Sequence, residues 1–168
     1  SVPQGPEEDD LLERRHHRTH QSVLENALDT IRPRLSAPRS LAVAHAFVTG
    51  GEPSDSERQL VVGGTGEVPA SVFDGFSYVA LGHLHRPQEV VRPHVRYSGT
   101  PLAYSFSEDH EKSVVIIDMD PTGAVDTSSV PVAVGRGVHT ITGELDQLLD
   151  PGFAPGAVDC FVRAVVTD

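Results

Sequence analysis

The sequence predicts an α/β fold, in which helices cover the faces of a sheet. Two continuous apolar runs, residues 40–48 and 77–81, are bounded by turn residues and are typical of strands buried on both faces. A helical repeat precedes them, because Leu24, Leu28 and Ile31 recur at intervals of three or four residues. A helix followed by buried strands favours the α/β class.

The residue pattern also predicts the remaining helices and strands, which follow here in chain order. The first helix is expected over residues 9–31, where acidic residues occur at the start and Pro33 follows the end. After it we expect a short helix at 69–76, strands at 94–99, 112–120 and 125–132, a short helix at 143–150 and a strand at 157–166. The sequence therefore predicts a main domain over residues 1–135 and the start of a smaller one over residues 136–168.

Composition restricts the classes of function. The chain has 24 Asp and Glu against 13 Lys and Arg, a formal charge of −11. This balance argues against tight non-specific binding to nucleic acid, unless bound divalent cations or a basic partner reverse the local sign. Apolar runs fall well short of the roughly 20 residues of a membrane helix, and the chain does not open with a signal-peptide pattern. We expect a cytoplasmic protein with no membrane partner.

Three histidines suggest a metal site. His83 and His85 directly follow Gly82 at the end of a predicted strand, and His45 ends the other apolar run. α/β folds bind ligands at the carboxyl ends of their strands, and neutral imidazole is a good ligand for divalent cations. The alternative for each histidine is a hydrogen-bonded structural role, and spacing alone does not decide between the two.

Three more histidines occur near the chain start, in the segment RRHHRTH. His16 and His20 have the i, i+4 spacing of a helical metal site. The same segment, with His17, carries three arginines and has no apolar face, which favours a solvated surface. The sequence does not reveal a role for this cluster.

Several blocks of sequence resemble a known family. GHLH, residues 82–85, resembles the Gly-His-x-His motif of the calcineurin-like metallophosphoesterases. AHAFVTGGEPSDSER, FDGFSYVALGHLHRPQ and VRYSGTPLAYSFSE are similar, in the same order, to blocks of the SbcD family, the nuclease subunits of bacterial SbcCD complexes. The resemblance is strong over residues 41–118 and stays collinear to the end of the chain.

The resemblance implies a fold and a reaction. It implies a four-layer α/β/β/α fold, of which residues 1–135 form the C-terminal half, followed by the start of a small α+β cap domain. It also implies two divalent metal ions, usually Mn²⁺, with His45 and His83 on one ion and His85 on the other. Two such ions activate a bridging water and stabilise the departing oxygen, so the expected reaction is exonucleolytic or endonucleolytic hydrolysis of DNA phosphodiester bonds. The implied partners are an SbcC-type ATPase, double-stranded DNA and a second copy of the nuclease subunit.

The sequence also departs from the family. Its earlier motifs, Asp-x-His, Gly-Asp-x-x-Asp and Gly-Asn-His-Asp/Glu, are absent, so the catalytic residues are expected upstream of Ser1. We therefore expect this chain to be inactive by itself. Two alternatives stay open: a metallophosphodiesterase for a small substrate, and a non-catalytic scaffold subunit.

The segment after the histidines contains candidate substrate contacts. Ser98, Gly99 and Thr100 follow a predicted strand, and in the family this loop lies beside the active centre, although a structural turn is the alternative. Arg86 and Arg96 belong to a locally basic stretch and are candidates for contact with DNA phosphates. Solvated or ion-paired arginine is the alternative for both.

Overall fold

A computed structural model describes residues 19–55, 57 and 66–167, which form a mixed α/β protein. The helices are α1 (His20–Ile31) and α2 (Leu145–Leu148), and the strands are β1 (Leu41–His45), β2 (Phe47–Val48), β3 (Glu67–Val68), β4 (Tyr78–Gly82), β5 (Gln88–Val90), β6 (Arg92–Tyr97), β7 (Ser113–Met119), β8 (Val125–Pro131), β9 (Val138–Gly143) and β10 (Phe161–Val166). The predicted short helix at residues 69–76 is a 3₁₀ turn, Ala70–Phe73. The strands β3, β5 and β9 were not predicted from the sequence.

The largest sheet of the described residues has the strand order β1–β4–β6–β5. The strands β1, β4 and β6 run parallel, and β5 pairs antiparallel with β6 at the edge. The register of β1 and β4 places His45 opposite Gly82. Because parallel strands end at the same edge of a sheet, the residues that follow β1 and β4 meet there.

The core around this sheet is built from fully buried side chains of several elements. It includes Val48, Val68, Phe73, Val79, Leu84, Val90, Val95 and Tyr97. Strand β4 is buried on both faces, as predicted. Strand β1 is not, because Leu41 and Val43 are 50% and 78% exposed on the face opposite Ala42. The prediction of a doubly buried strand was therefore wrong for β1, which lies at the edge of the sheet formed by the described strands and exposes one face.

Helix α1 begins with a capping box. The hydroxyl of Thr19 accepts a hydrogen bond from the backbone of Ser22, and the Ser22 hydroxyl accepts one from the backbone of Thr19, both at 3.1 Å. The helix buries Leu28 against the core and gives way to a 3₁₀ turn that contains Pro33. The part of the predicted helix before residue 19 lies outside the described residues.

The C-terminal third forms two smaller sheets. β7 and β8 are an antiparallel hairpin whose turn closes with a hydrogen bond from the Gly123 amide to the Asp120 carbonyl at 3.1 Å. β9 and β10 pair in parallel, with α2 in the connection between them. Across residues 19–55, 57 and 66–167, helices are too short or too polar to cross a bilayer.

Candidate metal centre

The register of β1 and β4 brings His45 and His83 side by side. Their ring centroids are 5.4 Å apart and the ring planes are inclined at 77°. Gly82 makes this approach possible, since a Cβ atom there would lie only 3.0 Å from Nδ1 of His45. A larger residue at position 82 would require the His45 ring to shift by a few tenths of an ångström.

His83 has an unusual backbone conformation. Its φ angle is 118°, a region that residues with a side chain rarely adopt and that costs on the order of 1–3 kcal/mol. Such strain persists where the surrounding structure imposes it, and it is concentrated at functional sites. Burial, and then the neighbouring His45, lower the pKa of His83. Both effects favour the neutral imidazole, which is the form that binds metals.

His85 is held by a different set of contacts. Its Nδ1 atom lies 2.9 Å from Oε1 of Glu108, and its ring centroid is 5.3 Å from that of Tyr104. Its amide donates to Oε1 of Glu57 at 2.7 Å, and its carbonyl accepts a hydrogen bond from the Thr100 amide at 3.1 Å. The structure thus pairs His45 with His83 and anchors His85 through two carboxylates.

Neither of these carboxylates was identified from the sequence. The Glu108 side chain is fully buried, and its Oε2 atom accepts a hydrogen bond from Nζ of Lys112 at 2.6 Å. Glu57 lies in the SDSER segment, where it accepts hydrogen bonds from the amides of His85 and Ser54. Burial raises the pKa of Glu57, but these hydrogen bonds outweigh it and the net shift is downward. The spacing of Glu108 and Lys112, four residues apart, does not by itself distinguish this buried pair from two solvated charges.

Tyr97 fixes the corner between β1 and β2, directly after His45. Its hydroxyl donates to the Ala46 carbonyl at 2.7 Å and accepts from the Val48 amide at 2.8 Å. The side chain is fully buried, and this burial raises the pKa of Tyr97 to about 12. The hydroxyl therefore stays protonated and holds the end of β1 to β6.

The predicted loop after β6 does contact His85. Gly99 has a φ of 75°, and a Cβ atom there would lie 2.8 Å from the His85 carbonyl oxygen, so the close approach needs glycine. Thr100 donates its amide to the same oxygen at 3.1 Å. Ser98 is exposed, and its hydroxyl donates to the Gly99 carbonyl at 3.4 Å. Gly99 and Thr100 support the His85 backbone, whereas Ser98 is open to solvent.

The two predicted arginines are both ion-paired. Arg86 lies 3.1 Å from Asp109 in a pair whose side chains are 44% and 82% exposed. Arg96 pairs with Glu89 and its own side chain is only 18% exposed. Arg86 is therefore the more accessible of the two to a phosphate.

One histidine of the N-terminal cluster lies near the pair. His20 is exposed and lines, together with His45, a largely apolar cleft of about 260 Å³ between α1 and the end of β1. Its charge also contributes to the lowered pKa of His83, after the larger effects. His16 and His17 lie outside the described residues.

The separation of the two histidine rings is compatible with two positions of a metal site. With a metal–nitrogen distance of about 2.0–2.1 Å, two imidazoles on one tetrahedral ion have ring centroids roughly 5 Å apart. The separation of 5.4 Å between His45 and His83 is close to this value. Within the described ranges, no three His, Cys, Asp or Glu side chains are grouped so that they could hold an ion. A complete site would therefore need ligands beyond this pair.

Comparison with models of known protein families found none that matches this chain. The resemblance to the metallophosphoesterases thus depends on the sequence blocks themselves.

Proposed function

We propose that this chain is part of a metal-dependent DNA nuclease of the calcineurin-like metallophosphoesterase superfamily, acting on double-stranded DNA ends with an SbcC-type ATPase. The partial four-layer fold, the cap domain that begins near residue 136 and the nuclease dimer belong to the same proposal. The observation that carries it is the separation of 5.4 Å between the rings of His45 and His83, at the end of two parallel strands. Strain at His83 supports it, because strained backbone conformations are concentrated at functional sites.

In this proposal His45 and His83 bind one Mn²⁺ ion and His85 binds a second. When bound, the ions supply Lewis acidity and an activated water for attack on a phosphodiester. The protein keeps the nitrogen atoms available: burial favours the neutral form of His83, and Gly82 leaves room for the His45 ring. The remaining ligands and the catalytic residues are supplied by the upstream motifs of the family.

The bound ions also account for how so acidic a chain would approach DNA. The formal charge is −11, so the positive charge at the site comes from the metal ions and from nearby arginines. Arg86 is the better candidate for a phosphate contact, since its exposed pair with Asp109 contributes little and exchanges readily. Arg96 is more deeply placed and serves to hold β6 to β5 through Glu89.

Titration of the chain with Mn²⁺ tests the site directly. The ring-proton NMR signals of His45, His83 and His85 are expected to broaden at lower Mn²⁺ concentrations than that of His139, an exposed histidine of β9. His83→Ala should raise the concentration needed for His45, which loses its partner on the same ion. Equal broadening of all histidines would contradict the proposal.

The reaction is tested in the protein that also contains the Asp-x-His and Gly-Asn-His motifs. We expect Mn²⁺-dependent digestion of linear duplex DNA that His83→Ala abolishes and His139→Ala leaves unchanged. Hydrolysis of a small phosphodiester without digestion of DNA would favour the small-substrate enzyme. Loss of neither activity in His83→Ala would remove His83 from the site.

A further inference from the structure

A buried charge pair lies directly behind His85. The Glu108 side chain is fully buried and that of Lys112 is 11% exposed. Buried charges of this kind are expensive and are retained only when each has partners. Lys112 donates to Glu108 at 2.6 Å and to Oγ1 of Thr100 at 3.2 Å, so both members of the pair have partners within the site.

The two oxygens of Glu108 have different partners, and this determines the position of a proton. Oε2 receives Nζ of Lys112, while Oε1 lies 2.9 Å from Nδ1 of His85. An ionised carboxylate can only accept hydrogen bonds, so Nδ1 of His85 must carry the hydrogen. In a neutral imidazole the lone pair then belongs to Nε2, and in this tautomer Nε2 is the nitrogen that can act as a metal ligand.

Lys112 determines that Glu108 acts as an acceptor. An ammonium group has three hydrogens to donate and cannot accept, so it favours an ionised carboxylate next to it. Lys112 contacts Oε2 of Glu108, and His85 contacts the other oxygen, Oε1. The pair therefore sets the ring orientation and the tautomer of His85 together.

We propose that Glu108, held by Lys112, is a positioning residue that fixes His85 as the Nδ1–H tautomer and so presents its Nε2 atom to the second divalent cation. The metal part of this inference rests on the proposed function, whereas the tautomer depends only on the geometry of the described residues. Carboxylates that orient a ligating imidazole in this way strengthen metal binding by about 10–100-fold.

The tautomer can be measured without any substitution. Nitrogen-15 NMR of labelled histidine at about pH 8.5, where free imidazole is neutral, distinguishes the protonated ring nitrogen from the bare one. We expect a protonated Nδ1 and a bare Nε2 for His85. A proton on Nε2 instead would overturn the inference, whether or not any variant folds.

Glu108→Gln then tests the role of the charge. Lys112 should attract the amide oxygen of the new side chain, which turns the amide –NH₂ toward Nδ1 of His85. Nδ1 becomes an acceptor and the proton moves to Nε2. Glu111→Gln removes an exposed carboxylate from the same segment and should leave the tautomer unchanged. An unaltered tautomer in Glu108→Gln would contradict the inference.

Mn²⁺ titration separates this inference from the proposed function. In Glu108→Gln, broadening of the His85 signal should require about 10–100-fold more Mn²⁺, while His45 and His83 respond as before. Unchanged broadening of His85 would refute the positioning role and leave the metal site intact. If none of the three histidines responds in the protein that also contains the Asp-x-His and Gly-Asn-His motifs, the proposed function and the metal part of the inference both fail.

Discussion

Tyr97→Phe removes one hydroxyl that holds the end of β1. That hydroxyl donates to the Ala46 carbonyl at 2.7 Å and accepts from the Val48 amide at 2.8 Å. Phenylalanine keeps the aromatic ring and its packing, so the substitution removes two hydrogen bonds and opens almost no cavity. It isolates the polar contribution of Tyr97 from its contribution to the core.

The expected loss of stability follows from the two backbone groups that lose the Tyr97 hydroxyl as their hydrogen-bond partner. Val48 is fully buried and Ala46 nearly so, and the substitution leaves an amide and a carbonyl without a hydrogen-bond partner among the described residues. An unsatisfied buried group costs roughly 1–3 kcal/mol, so for two such groups we expect a total loss of about 2–6 kcal/mol in the free energy of unfolding. This is a large share of the roughly 5–15 kcal/mol typical of a folded domain.

Urea unfolding followed by circular dichroism measures this loss. Tyr78→Phe is the matched control, because Tyr78 is a buried tyrosine of the same sheet whose hydroxyl makes no hydrogen bond with the described residues. Tyr78→Phe should lower the free energy of unfolding by less than about 0.5 kcal/mol, which is typical of substitutions that disturb no specific interaction. Equal effects of the two substitutions would refute the reasoning, as would a change in Tyr97→Phe smaller than about 0.5 kcal/mol.

Two further predictions concern strain and pH. His83→Gly should be more stable than His83→Ala by about 1 kcal/mol, because glycine adopts a φ of 118° without steric cost. At most other positions alanine is the more stable of the two. Equal urea midpoints of the two variants would show that the backbone is not strained. Burial raises the pKa of Tyr97 to about 12, so the unfolded chain releases this proton at lower pH than the folded chain. The associated stability is complete below about pH 10 and is lost as the pH rises through the folded pKa. An ultraviolet titration in which all tyrosines ionise together near pH 10 would contradict this.

Much of the site was predictable from the chain alone. Gly82, His83 and His85 follow an apolar run, and His45 ends another, which was enough to predict that all three histidines lie at strand ends. The structure has β1 end at His45 and β4 at Gly82, and the parallel register brings the first two rings together. Their role as metal ligands stays a prediction.

The supporting residues could not be found in this way. Tyr97 contacts residues about fifty positions earlier, and Glu57 contacts an amide 28 positions later. Such contacts depend on how separate elements pack, and a lone Tyr or Glu has no local pattern that distinguishes a buried partner from a solvated one. The uncovered face of β1 was missed for the same reason, since a run of apolar residues does not say what lies against it.

The sequence by itself determined the α/β class, most of the strands and the placement of the three histidines, because hydrophobic periodicity and turn residues act over neighbouring positions. Tertiary structure alone decided that His45 faces His83, that His83 is strained, and that a buried Glu108–Lys112 pair stands behind His85. These depend on strand register and on close packing between distant segments, which are fixed only when the chain folds.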